Sequence, residues 1–232
     1  MTPEPRSGAP TSPSYGDSDH YDAEYFAWQD AHADIKALLK VEKIGPYVKQ
    51  SDTVIDFGSA GGGMLARLPG ARKIGVEIND VARAASERDF GLEGYKSLSE
   101  VPNGVADVIV TNHTLEHLAS PFDALVELRP KLKRGGRIVI VVPIEGWNSP
   151  QSRRWDPKDV NRHLYTWAPL NLGNLLDEAG YEPIELRVIH RALMRHFDKF
   201  AQLPRPAFHG LQWLWSHVRR QHELLAVASP RD

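Results

Sequence analysis

The stretch Asp52-Thr53-Val54-Ile55-Asp56-Phe57-Gly58-Ser59-Ala60-Gly61-Gly62-Gly63 decides the fold. Its first half is a short β-branched run, a residue type that suits a pleated, buried surface. Its second half is made of glycine, alanine and serine, which allow a tight turn and close approach of the backbone to a ligand. A second apolar run, Lys73-Ile74-Gly75-Val76-Glu77, comes next, with room between for one short helix over 64–68. Strand, glycine turn, helix and strand make a βαβ unit, whose strands are parallel.

The pattern extends on both sides. Upstream, residues 22–48 read as a helical lead-in, with Ile35, Leu38 and Leu39 on one face until Gly45-Pro46 interrupts. Downstream, Asn79 is a helix N-cap for the segment 80–88, and a weak third strand is expected at 94–96. Asp107-Val108-Ile109-Val110-Thr111-Asn112 reads as a buried strand, followed by a helix carrying Leu125, Leu128 and Leu132 and stopped by Gly135-Gly136. The run 137–143 is nearly all apolar, as expected of a strand buried on both faces. Thr166 is expected to cap a helix bearing Leu172, Leu175, Leu176 and Ala179, and the last two strands fall at 184–190 and 223–228. Alternating strands and helices predict a doubly wound α/β fold with a mainly parallel sheet, whose ligands bind at the carboxyl ends of the strands.

Composition narrows the class. The chain of 232 residues is long enough for one sizeable core, and its net charge of -2 gives no general attraction to nucleic acid. With no cysteine there is no disulfide and no thiolate zinc site, and no metal ligand set is assigned. Residues 1–18, rich in proline, serine and glycine, read as a disordered tail ahead of a single domain over 19–232. There is neither a signal peptide nor an apolar run long enough to span a bilayer, so a cytoplasmic protein is expected.

The chemistry centres on the glycine turn and on Glu77, nineteen positions after Gly58, where a carboxylate can accept two ribose hydroxyls. Here the chain resembles the class I S-adenosylmethionine-dependent methyltransferases, in particular the small-molecule group with an Asp-x-Gly-x-Gly-x-Gly loop. Asp56, Gly58 and Gly62 match that loop and Ala60 replaces its middle glycine. The stretch 107–117, Asp-Val-Ile-Val-Thr-Asn-His-Thr-Leu-Glu-His, resembles the family's fourth strand and turn, and Leu132-Lys133-Arg134-Gly135-Gly136-Arg137 its approach to the fifth. The likeness covers roughly residues 52–190.

The resemblance implies a seven-stranded sheet with an antiparallel last strand entering beside the fifth, and S-adenosyl-L-methionine as cofactor. It implies that Glu77 binds the ribose, that Ile78 packs on adenine, and that the loop at Gly58, Ala60 and Gly62 and the Asn112 backbone border the methionine end. Asp56 is expected to order the loop through backbone amides. A nicotinamide-dependent oxidoreductase is the alternative, because Gly61-Gly62-Gly63-Met64-Leu65-Ala66 satisfies Gly-x-Gly-x-x-Ala, but it starts four residues past the strand. A methyltransferase-like binding domain without activity is the other.

Methyl transfer requires in-line positioning above all, and a base where the acceptor is a hydroxyl. His117, His113 and His163 are the candidates, His117 first, each weighed evenly against a packed histidine; Glu116 is read as an acid favouring a helix N-terminus. Four Lys/Arg against two acids in 152–163, and six against one in the lid-like insertion 191–220, point to an anionic small-molecule acceptor such as a sugar derivative, O-methylation being favoured. Leu211 to Arg220 also suits a membrane-surface helix, although a lid or packing role is preferred.

Overall fold

A computed structural model describes residues 33–146, 154–157, 159, 161–190, 200 and 202–231. The expectations for the tail at 1–18, for the start of the helical lead-in and for 191–199 lie outside the described residues.

One seven-stranded sheet has the order β3-β2-β1-β4-β5-β7-β6. Strands β1 (Thr53–Phe57), β2 (Arg72–Val76), β3 (Glu93–Tyr95), β4 (Ala106–Asn112) and β5 (Leu132–Ile144) are parallel. The last strand, β7 (His222–Pro230), runs antiparallel between β5 and β6 (Tyr181–Ile189). The chain winds outward from β1 through β2 to β3, then returns to place β4 on the other side of β1. The switch point therefore lies between β1 and β4, where Asp56 pairs with Val110.

Both faces of the sheet are buried, which is why its strands read as continuous apolar runs. Ile55, Ile109, Ile138 and Ile140 point to one face, against helices α4 (Pro121–Leu128) and α5 (Pro169–Glu178) through Leu125, Leu128, Leu172 and Leu176. Val54, Val108, Val139 and Val141 point to the other, against α1 (Ala33–Ile44) and α2 (Gly63–Arg67) through Ile44, Met64 and Leu65. Alternate residues of one strand thus serve two cores. Helix α3 (Asp80–Phe90) begins at Asn79 as expected, with the Asn79 side chain accepting from the Ala82 amide at 2.9 Å.

Two expected boundaries are corrected. The helix after β4 ends at Leu128, before Arg129-Pro130-Lys131, and Leu132, Gly135 and Gly136 belong to β5. Proline ends that helix earlier than the glycines do. Thr166 does not cap α5: its hydroxyl bonds the Glu145 carbonyl, Ala168 takes the N-cap position, and the Asn171 side chain accepts the Ala168 amide at 2.7 Å.

Of the segment 191–220, the described helix α6 (Arg205–Arg219) docks on α1, where buried Phe208 meets Leu39 and Trp215 packs beside them. Glu42 pairs with Arg205 at 3.0 Å and with His209 at 3.1 Å. Leu211, Leu214 and Val218 stay exposed on the outer side of α6. Among the described residues no helix is long and apolar enough to cross a membrane.

Tyr181 ties the α4 layer to the sheet, its fully buried hydroxyl donating to the Leu125 carbonyl at 2.9 Å. The Tyr181→Phe variant should lose about 1 kcal/mol, read as a lower urea midpoint at unchanged slope. An unchanged midpoint would show that the bond adds nothing to stability.

Candidate active site

The glycine loop leaves β1 at Phe57 and returns into α2 at Gly63. Its first amides, Gly58 and Ser59, both donate to the Val76 carbonyl, so the turn is pinned to the end of β2. Gly58 and Gly62 have φ of +80° and +77°, where a side chain is strained. Space is a second constraint. A Cβ on Gly58 would lie 2.3 Å from the Thr114 hydroxyl, and one on Gly62 would lie 2.2 Å from the Ser86 hydroxyl. These glycines thus admit the turn after β4 and helix α3. Gly61 is the glycine that faces open space. Ala60 keeps the left-handed backbone of the glycine it replaces, at φ +46°.

That backbone aims the Ala60 amide at Glu77. The Glu77 carboxylate, just past β2, accepts from Ala60 N at 2.8 Å through Oε2 and from Asn79 N at 2.9 Å through Oε1. Burial raises its pKa, and the two amides oppose the shift. Asp56, the residue expected to order the loop, is buried beneath it, with Oδ1 lacking a hydrogen-bond partner among the described residues. Glu77 has taken the ordering role. Burial pushes the Asp56 carboxyl up to about 7, against the pull of Lys40 on α1 and with a further push from Glu77. Ile78 is exposed next to Glu77, and Asn112 ends β4 with both amide atoms buried and without hydrogen-bond partners among the described residues.

The turn after β4 holds a polar group. His113 has φ +55°, donates its amide to Val141 O at 2.8 Å, and places Nε2 3.0 Å from Glu223 Oε1 on β7. Leu115, Glu116 and His117 form a single 3-10 turn. The Leu164 amide bonds the Glu116 carbonyl at 2.8 Å and so draws His163 over this turn. The His117 and His163 rings meet edge to face, with centroids 4.9 Å apart. The structure therefore brings all three expected histidines to one place. It adds Glu116, which is fully buried, and Glu145, whose Oε1 lies 3.1 Å from His163 Nδ1.

Burial, with His163 and His113 nearby, lowers the His117 pKa to about 4. Its ring is uncharged at neutral pH, and it is a weak general base. Burial opposes charge on His163 as well, but the Glu145 carboxylate more than offsets it and raises that pKa. The Glu116 carboxyl is raised by burial. Glu223, Lys43 and Glu145 gave no signal in the sequence because they reach the cluster only through the folded sheet.

Residues 28–186 match the family described as a methyltransferase domain. The chain belongs to that family. Among curated relatives it is similar to an uncharacterized methyltransferase of Schizosaccharomyces pombe, 30% identical over 139 residues covering 52% of this chain and 48% of that protein. It is also similar to the ubiquinone biosynthesis O-methyltransferase of Roseobacter denitrificans, 29% identical over 154 residues, 57% of this chain and 60% of the relative. The matches thus span only part of either relative's length. The structure of 1,6-didemethyltoxoflavin-N1-methyltransferase from Burkholderia thailandensis superposes with a TM-score of 0.65 at 18% identity, covering 93% of this chain and 87% of that one. That likeness shows the fold.

Residues 28–186 thus make a methyltransferase domain. The residues present fit S-adenosylmethionine, the cofactor the sequence resemblance implies: an open stretch of loop at Gly61 and buried polar atoms of Asp56 and Asn112, unpartnered among the described residues, lie at neighbouring strand ends, with the Glu77 carboxylate beside them. The oxidoreductase alternative falls with the family assignment.

Ala60 offers a test of the loop. Alanine in the left-handed region costs about 1 to 2 kcal/mol, and glycine gives back part of the gain through its freer unfolded chain. Ala60→Gly should therefore be more stable than the parent by about 0.5 to 1 kcal/mol in thermal unfolding. A destabilised variant would show that the loop carries no strain at this position.

Proposed function

We propose that this methyltransferase acts on an oxygen of a small polar, anionic acceptor such as a sugar derivative. The observation that carries the reading is the gathering of His113, Glu116 and His117 on the turn after β4 with His163 drawn over it, against the β1 end that begins the glycine loop, with Thr114 Oγ1 donating to Phe57 O at 3.2 Å. Polar side chains able to handle a hydroxyl proton stand beside the cofactor loop. Arg154 and Arg162 are exposed on the connection that leads to His163 and support an anionic acceptor. The relative from Roseobacter denitrificans, an O-methyltransferase by name, supports oxygen as the acceptor atom.

In this reading Glu77 accepts the ribose hydroxyls, Ile78 packs on the adenine, and Gly58, Ala60, Gly62, Asp56 and Asn112 shape the methionine end. S-adenosylmethionine supplies an activated methyl group when bound. The chain's own work is to align the acceptor oxygen with that group and keep water out. The rings of His117, His113 and His163 hold or receive the acceptor proton. Because His117 is a weak base, alignment carries more of the rate than proton removal does. Helix α6, docked on α1, frames the same end of the sheet as a lid.

Release of S-adenosylhomocysteine across a panel of phosphorylated and carboxylated hydroxyl compounds tests the acceptor class. Turnover confined to amines or to uncharged acceptors would overturn it. For the cofactor site, Glu77→Gln removes the charge and one acceptor oxygen, so S-adenosylhomocysteine affinity should fall by about 1 to 3 kcal/mol in calorimetry. Unchanged affinity would remove Glu77 from the site.

His117→Ala and His163→Ala should each lower kcat by about 10² or more while S-adenosylhomocysteine binding stays near that of the parent. Retained kcat with only a lower Tm would make these rings packing residues.

A further inference from the structure

We propose that Glu116, His117 and His163 form a binding site for a divalent first-row transition cation. One ligand atom from each lies within 4.8 Å of the others, a spacing that side-chain shifts of about 1 Å would close onto an ion held at about 2.0–2.2 Å. Glu116 is at 0% exposure, and neither of its oxygens has a hydrogen-bond partner among the described residues. A carboxylate buried in that way is costly unless a cation or a proton satisfies it. The His113 ring does not satisfy it: Nδ1 is 3.5 Å from Glu116 Oε1, while the other nitrogen is engaged by Glu223.

Outer contacts of the kind that orient metal-bound histidines stand nearby. Glu145 Oε1 is at an ion-pair distance of 3.1 Å from His163 Nδ1, and the Asn161 backbone hydrogen-bonds His117. Two imidazoles with one carboxylate favour zinc, iron or manganese over magnesium and calcium, which prefer oxygen ligands throughout. Three protein ligands leave positions open for a small molecule. An acceptor hydroxyl bound there would lose its proton more readily, which supplies what a weak imidazole base lacks. This use rests on the O-methylation reading; the ion site itself does not.

The test uses the full chain, treated with chelator and dialysed, then titrated with Zn2+ alone and with Co2+ alone. One ion per chain is expected, with a rise in Tm and, for cobalt, visible absorption bands of nitrogen and oxygen ligation. Glu116→Gln, of nearly the same shape, should weaken zinc binding by more than about 100-fold, beyond the loss usual for an outer-contact change. Without metal this variant should be at least as stable as the parent, because it removes a buried charge. His163→Ala should lose the ion as well.

A second histidine group at His190, His217 and His222 provides the control, and His217→Ala should leave zinc affinity unchanged. Absence of saturable binding in the parent, retained affinity in Glu116→Gln, or loss of affinity in His217→Ala would each overturn the assignment. S-adenosylhomocysteine binding by the chelator-treated protein, measured in parallel, separates failure of the ion site from failure of the cofactor reading.

Discussion

The carboxylate of Glu77 holds the ends of β1 and β2 in register, and the rest of the site depends on it. One oxygen takes the Ala60 amide from the loop after β1, and the other takes the Asn79 amide at the start of α3. Two backbone donors that would be left over where strands give way to turn and helix are thereby satisfied. The bonds also dictate local backbone shape. To present its amide, Ala60 adopts a left-handed conformation, and to continue past it the chain needs Gly62 left-handed against Ser86. The loop is thus formed in advance of any ligand, and its ordering cost is met during folding.

The sheet was legible because a strand buried on both faces has no polar alternation to disguise it, as the run at Ile138 to Val142 shows. Asn79 was legible for a local reason too, since its cap closes within three residues. Signals that depend on tertiary packing misled. Leu132 continues a helical spacing yet pairs with Ala106 in β5, because Pro130 ends the helix and the sheet recruits the residues after Lys131. The glycines at 58 and 62 were found, but the bodies that occupy the space beside them, Thr114 and Ser86, are 56 and 24 residues away. Glu116 was read as a helix-end acid because exposure cannot be read from one position; the fold buries it completely.

The antiparallel entry of β7 accounts for the far wall of the polar group. Running against β5, it brings His222 beside Ile144 and Glu223 beside Pro143, at the carboxyl end of the sheet. Glu223 is there enclosed between Lys43 of α1 and His113 of the β4 turn. Burial alone would raise its pKa, yet those two partners bring it down to about 2. A carboxylate depressed in this way contributes stability above its unfolded value near 4.5 and loses it as pH falls toward 2. Helix α6 precedes β7 and, docked on α1, sets the direction from which that strand arrives.

Three carboxyls buried at the same end of the sheet titrate in different directions, and their partners explain why. Glu223 is lowered because Lys43 and His113 meet it directly. Asp56 and Glu116 are raised because burial outweighs the more distant pull of Lys40 on one and of His113 on the other. Nothing in the packing of the core requires acids at these two positions, and apolar groups of similar size would avoid the desolvation cost. Their uncompensated burial is confined to the switch point between β1 and β4 and to the turn just beyond it. Under the proposed reading, a site that takes a positive sulfonium gains from negative charge held ready in a dry setting. The cost borne by Asp56 and Glu116 in the folded chain is therefore placed where binding of positive charge can offset it.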